Sequence, residues 1–224
     1  MRILDPYTEL KPKKNKALGG PALEAQDLAC VRGDRSLFSR LHFTLEPGSA
    51  LIVEGRNGSG KTSLLRIVCG LLRADHGEVR WRGALIREVR EEYYKDLAYI
   101  GHLHGLKGEL TPLENLRVAQ ALAATTPRTS PEKALAHMEL EPFSLLLCRD
   151  LSPGQRRRVA LARLLMSPAS LWILDEPLAG IDRLGVERVE ALFRDHLDAG
   201  GALILTSHQP LSLQQTGFKS LHLG

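Results

Sequence analysis

Gly55-Arg56-Asn57-Gly58-Ser59-Gly60-Lys61-Thr62 decides the reading of this chain. The stretch fits the pattern G-x-x-x-x-G-K-[ST] without departure. The apolar run Ala50-Leu51-Ile52-Val53 before it reads as a buried strand, and Ser63-Leu64-Leu65-Arg66-Ile67-Val68 after it reads as a helix. Glycines at three positions let successive backbone N–H groups turn inward around phosphate oxygens. The helix N-terminus adds donors and a favourable dipole. Lys61 is expected along the β- and γ-phosphates and the Thr62 hydroxyl on Mg²⁺, with Ser63 completing the loop. A glycine-rich turn could match by chance, but strand, loop and helix stand here in register. The chain is expected to bind a nucleoside triphosphate.

A second stretch, Leu151-Ser152-Pro153-Gly154-Gln155, runs directly into Arg156-Arg157-Arg158-Val159-Ala160-Leu161-Ala162-Arg163. It resembles the signature of the ATP-binding cassette (ABC) family, with Pro153 where the usual residue is Gly. Proline suits this place physically, because its φ is pre-set for a helix start. Read alone, Ser-Pro-Gly could be a turn before an amphipathic helix. Ser152, Gly154 and Gln155 would then sit at a helix N-terminus, and the resemblance implies that they hold the γ-phosphate bound by a facing subunit.

Leu171-Trp172-Ile173-Leu174-Asp175, followed by Glu176 and Pro177, reads as a buried parallel strand delivering carboxylates at the sheet's carboxyl edge. The resemblance implies that Asp175 holds Mg²⁺ through water and Glu176 polarises the attacking water. It also implies that Asp182 belongs to the D-loop and that His208, in Thr206-Ser207-His208, is the switch histidine. A lone His after a strand is more often structural, but the order and spacing of the motifs favour the functional role. The similarity covers about residues 22–224.

Composition is compatible with that reading. The 43% apolar content suits one globular unit with an inserted subdomain. No run approaches the roughly 18–20 apolar residues of a membrane span, and no signal-peptide apolar region is expected at the N-terminus. Cys30, Cys69 and Cys148 are scattered, which argues for small buried hydrophobes and a reducing compartment. Of the net charge of +4, most lies in residues 1–20, where Arg2, Lys11, Lys13, Lys14 and Lys16 face Asp5 and Glu9. The remainder is near neutral, so no nucleic-acid-binding face is expected. The basic tail lacks a hydrophobic period and is expected to be disordered, with lipid head groups or a partner as its alternative contact.

Strands are expected at 22–31, 38–45, 78–86, 96–101, 202–207 and 218–223, besides those flanking the motifs above. Helices are expected at 112–124, at 131–138 with Ser130 as N-cap and Pro131 at N1, and at 183–199, stopped by Gly200-Gly201. The resemblance implies an α/β fold: an ABC-type P-loop ATPase with a RecA-like core (21–95 and 160–224), an antiparallel β subdomain and an inserted helical subdomain at about 96–158.

Departures from the general pattern narrow the family. The strand Leu97-Ala98-Tyr99-Ile100-Gly101 ends in His102, where ABC proteins place a Gln that reaches Mg²⁺ and the attacking water. His104-Gly105-Leu106-Lys107 and Leu110-Thr111-Pro112-Leu113-Glu114-Asn115-Leu116 follow. These segments, with Trp172 and Ser207-His208-Gln209-Pro210-Leu211, resemble the ATP-binding subunits of cytochrome c maturation haem exporters. An aromatic ring under adenine is missing from Cys30–Arg35, leaving Arg32 or Arg35 as possible stacking partners.

The phosphate loop and signature of one chain are not expected to reach the same nucleotide. A homodimer of cassettes with two composite sites, closed by ATP, is the expected working form. The resemblance further implies integral-membrane subunits as partners, docking around His102–Leu116, and a peripheral place on the cytoplasmic face of the inner membrane. Another ABC exporter or a soluble cassette ATPase remains the alternative.

Overall fold

The computed structural model describes residues 22–123, 125–207 and 218–224. The basic tail and His208 lie outside the described residues. In chain order the elements are β1 (Leu23–Arg32), β2 (Arg35–Leu45), β3 (Ala50–Gly55), α1 (Lys61–Val68), β4 (His76–Trp81), β5 (Ala84–Leu85), α2 (Arg90–Asp96) and β6 (Leu97–Ile100). They continue with α3 (Pro112–Leu122), α4 (Pro131–His137), α5 (Pro153–Met166), β7 (Leu171–Leu174), α6 (Arg183–Asp198), β8 (Ala202–Thr206) and β9 (Phe218–Leu223).

Two sheets form. One is antiparallel, in the order β2-β1-β4-β5; the other has the order β6-β7-β8-β3-β9 with its paired strands parallel. The inner strands β7 and β8 are buried throughout, in keeping with their almost wholly apolar sequences, whereas the edge strand β9 carries the exposed Lys219, Ser220 and His222. Side chains of β7 alternate between two cores: Trp172 and Leu174 pack with α5 and α6, while Leu171 and Ile173 pack with α1 and the antiparallel sheet. Leu203 and Leu205 of β8 join the first core, and Ala202 and Ile204 the second. Each buried aliphatic side chain contributes roughly 1.5–3 kcal/mol.

Helix starts follow the sequence closely. Ser130 accepts from Lys133 N with Pro131 at the first helical position, and Thr111 with Glu114 closes a capping box on α3.

Three expectations shift. The strand expected at 78–86 is a hairpin: Trp81 pairs with Ala84 across Arg82-Gly83, whose φ values of 49° and 84° give the left-handed pair that a tight two-residue turn requires. β6 pairs with β7 inside the parallel sheet, so the helical insertion begins after Ile100 rather than at about residue 96. Helix α2 has no counterpart in the sequence reading, because Tyr93 is its one buried residue and no apolar period announces it.

Candidate functional site

The strand order builds the site. β8 lies between β3, which leads into the phosphate-loop sequence, and β7, which leads into Asp175. Thr206 at the end of β8 is in register with Val53 of β3, and Leu205 with Leu174 of β7. Thr62 and Asp175, 113 positions apart in the chain, thus meet at one sheet edge, as open α/β sheets arrange their ligand sites.

Gly55, Gly58 and Gly60 have φ values of 147°, 79° and 103°. Gly55 is the most constrained, since a Cβ there would stand 2.4 Å from Leu223 O and 2.6 Å from Ser59 Oγ. Between Arg56 and Lys61 the chain wraps back on itself, and buried Lys61 donates through Nζ to Gly55 O at 2.6 Å and Arg56 O at 3.2 Å. The ammonium is held over the loop by its own carbonyls. A cleft of about 290 Å³ opens here, with Asn57, Lys61, Thr62, Ser63 and Glu176 in its walls and Leu37 closing it from β2.

Asp175 is 3% exposed, and both its oxygens are engaged: Thr62 Oγ1 donates to Oδ2 at 2.8 Å and Thr206 Oγ1 to Oδ1 at 2.7 Å. A hydroxyl beside a carboxylate oxygen is the hard donor set that suits Mg²⁺. Among the described residues no group of three or more His, Cys, Asp or Glu could hold a metal, so such an ion would lean on phosphate and water for its remaining ligands. Glu176 takes the left-handed φ of 51°, and its N–H donates to Thr206 Oγ1 at 2.8 Å.

The signature residues do not line this cleft. Ser152 caps α5 by accepting from Gln155 N, and the Gln155 side chain accepts from Ser152 N at 2.8 Å, so Gln155 is committed to a capping box. Gly154 packs against the turn before α6, and Asp182 caps α6 through Gly185 N at 2.8 Å. His102 is exposed on the loop after β6 and is not part of the cleft wall. Two residues on, burial, Arg157 and further cationic neighbours hold the His104 imidazole down to about 4. Arg32 is directed to Asp75 at 4.0 Å, with its NH1 on Val31 O.

Thr206, Arg157 and Leu37 were not picked out as site residues from the sequence. Thr206 and Arg157 belong to motif segments, but their contacts depend on strand order and helix rotation.

Comparison with known proteins agrees with this architecture. The family profile described as ABC transporter matches residues 38–179. The cytochrome c biogenesis ATP-binding export protein CcmA of Nitrosospira multiformis is 47% identical over 91% of this chain and 99% of its own length. The protein of the same name from Methylococcus capsulatus is 49% identical over 85% of this chain and 92% of its own. Among solved structures, an ATP-binding subunit of an ABC transporter shares the fold with a TM-score of 0.76 at 23% identity, covering 90% of this chain and 88% of that one. So does a dimeric ATP-binding cassette in a post-hydrolysis state bound to ADP and Pi, with a TM-score of 0.75 at 21% identity, covering 90% of this chain and 94% of that one. This chain belongs to the ABC transporter family of ATP-binding cassettes and, within it, to the family of the cytochrome c biogenesis ATP-binding export proteins.

Proposed function

We propose that this chain is the ATP-hydrolysing subunit of an ABC exporter serving c-type cytochrome biogenesis, with haem as the implied cargo. The observation that carries the hydrolytic part is that Glu176 shares one cleft with Lys61, Thr62 and Ser63. The assignment to cytochrome c biogenesis rests on 47% identity extending over 99% of a relative of that name.

In this reading Gly55–Ser63 cradles the triphosphate through main-chain N–H groups, and Lys61 exchanges its two carbonyl partners for phosphate oxygens. Mg²⁺, held by Thr62 and Asp175, would neutralise charge on the β- and γ-phosphates. Glu176 accepts the proton of the attacking water. His208 keeps the switch role that the resemblance implies, and His102, which lies outside the cleft wall of the single chain, would have to be brought to the γ-phosphate by the closure of the nucleotide-bound dimer. Ser152, Gly154, Gln155 and Asp182 act on the nucleotide of a second copy, with Gln155 shaping the helix start through its capping box. A homodimer then carries two composite sites that ATP closes and hydrolysis opens.

No helix among the described residues is long and apolar enough to cross a membrane. Export therefore takes integral-membrane partners, docked at the segment His102–Leu116 from the cytoplasmic face. Leu103 in that segment is 86% exposed, the largest exposure among the exposed apolar side chains of the described residues. The test is complementation. In a host deleted for its own copy, this chain should restore haem-stained c-type cytochromes, and Glu176→Gln should not. Full restoration by Glu176→Gln would refute the hydrolytic role.

A further inference from the structure

The peptide unit joining Asp175 to Glu176 is gripped from both ends. Its N–H, on Glu176, donates to Thr206 Oγ1 at 2.8 Å. Its carbonyl, on Asp175, lies 3.5 Å from Arg157 NH1, at the long end of hydrogen bonding. Rotation about the bond next to this plane sets the φ of 51° at Glu176, a conformation that a long L-side chain holds only where its surroundings over-determine it.

Both grips are built deep. Thr206 is fully buried, and its single hydroxyl proton is committed to Asp175 Oδ1 at 2.7 Å, which leaves its lone pairs for the Glu176 N–H. Arg157 is 3% exposed. Three consecutive arginines fan apart from α5. Arg156 bonds Leu151 O at 2.8 Å, Arg158 bonds Met138 O at 3.0 Å, and Arg157 alone turns inward to Gly101 O at 3.4 Å and Asp175 O. Burial works against its charge, and the carboxylates of Asp175 and Glu176 favour it. A guanidinium in so dry a place exerts its field on those carbonyls with little screening. It stands three residues beyond Gly154, about one helical turn along α5.

We propose that Thr206 and Arg157 are positioning residues for hydrolysis: they fix the plane of the Asp175–Glu176 peptide, aim the Glu176 carboxylate, and tie that aim to the position of the signature helix α5. The proposal rests on the reading of Glu176 as the group that activates water. It gives one chain a mechanical link between its signature end, which faces the partner's nucleotide, and its own hydrolytic carboxylate. The contact with Gly101 O extends the link to the backbone entering His102.

The experiment measures steady-state kcat and KM for MgATP on the full chain carrying Thr206→Val, Thr206→Ser, Arg157→Met or Arg157→Lys, with thermal unfolding alongside. Valine keeps the shape of threonine and removes only the hydroxyl, so Thr206→Val keeps the proposal testable should Arg157→Met fail to fold. Thr206→Val is expected to lower kcat roughly ten- to hundredfold, as a small misplacement of a reacting group does. KM should stay within about threefold and Thr206→Ser should recover the rate. In single-turnover assays on a Glu176→Gln background, adding Thr206→Val should cause no further loss. The proposal is overturned if Thr206→Val keeps a wild-type kcat, if its loss is reversed by raising Mg²⁺, or if it multiplies the defect of Glu176→Gln. A fully active Glu176→Gln would instead sink the underlying reading of Glu176, whereas an inactive Glu176→Gln beside a fully active Thr206→Val would sink the clamp alone.

Discussion

Gly154→Ala is the sharpest probe of how the two ends of the signature region are assembled. A Cβ on Gly154 would stand 2.3 Å from Gly180 O, 3.2 Å from Gly180 C and 3.3 Å from Ile181 Cα. All three atoms are backbone, so no flexible side chain can swing away. The start of α5 and the turn leading to Asp182 must separate by roughly 0.7 Å before the oxygen contact becomes tolerable. Overpacking of this kind costs about 1–3 kcal/mol. Alanine recovers at most about 1 kcal/mol as a better helix former, and less in a first turn. The net loss is then about 1–2 kcal/mol, which for a chain of this size lowers Tm by roughly 2–8 °C.

The functional loss should be larger than the stability loss. The displaced elements carry Ser152, Gly154 and Asp182, which in the proposed function act against a second copy. Binding of MgATP to the phosphate loop of the single chain should be unchanged. ATPase activity should fall roughly ten- to hundredfold. ATP-driven dimerisation of the Glu176→Gln form on size-exclusion chromatography should be lost when Gly154→Ala is added. Differential scanning calorimetry, nucleotide titration and chromatography read the three effects separately. A Tm within about 1 °C of the parent together with parental ATPase activity would refute the argument, because it would mean that the two backbones part freely.

Lys61→Ala removes the ammonium from a loop otherwise made of main-chain dipoles. MgATP binding should weaken by on the order of 3 kcal/mol, more than a hundredfold, measured by isothermal titration. His102→Gln should keep ATPase activity, while His102→Ala should lose it and, more severely, lose stimulation by the membrane partners; equal rates in all three forms would make His102 a packing residue. Burial is the main cause that holds the His196 imidazole down to about 3. Its folded-state value lies below its unfolded one, so the stability it lends is complete above about pH 6.5 and is lost as pH falls toward 3, by roughly 4 kcal/mol at pH 3. His196→Phe should therefore be less stable at neutral pH, losing the bond to Ala202 O at 3.2 Å, yet show a shallower acid decline in urea unfolding. A decline parallel to that of the parent chain would contradict that account.

The phosphate loop, the signature and the Asp175-Glu176 pair were legible because each is a short contiguous segment whose chemistry demands particular residues at fixed offsets. Gly55 illustrates this: its φ of 147° and the Leu223 carbonyl beneath it leave room for no side chain. Thr206 and Arg157 escaped for the opposite reason. Their partners, the Asp175 carboxylate and main-chain atoms of Gly101, Asp175 and Glu176, lie just past the ends of other strands, and no short segment of sequence brings them together. Reading Thr206 as a partner of Asp175 required knowing that β8 runs between β3 and β7, a fact about strand order.

Arg156, Arg157 and Arg158 make the same point within one helix. The sequence shows them only as three identical residues in a row, and two of them bond carbonyls nearby on the helical insertion. The turn of about 100° per residue sends the middle one inward. There it meets the carbonyl that precedes Glu176 at 3.5 Å and is left 3% exposed. A substitution at Arg157 and one at Arg156 should therefore differ far more than their composition or spacing suggests. The first changes what holds the Asp175–Glu176 edge of the sheet, and the second changes the approach to the signature from Arg149 and Leu151.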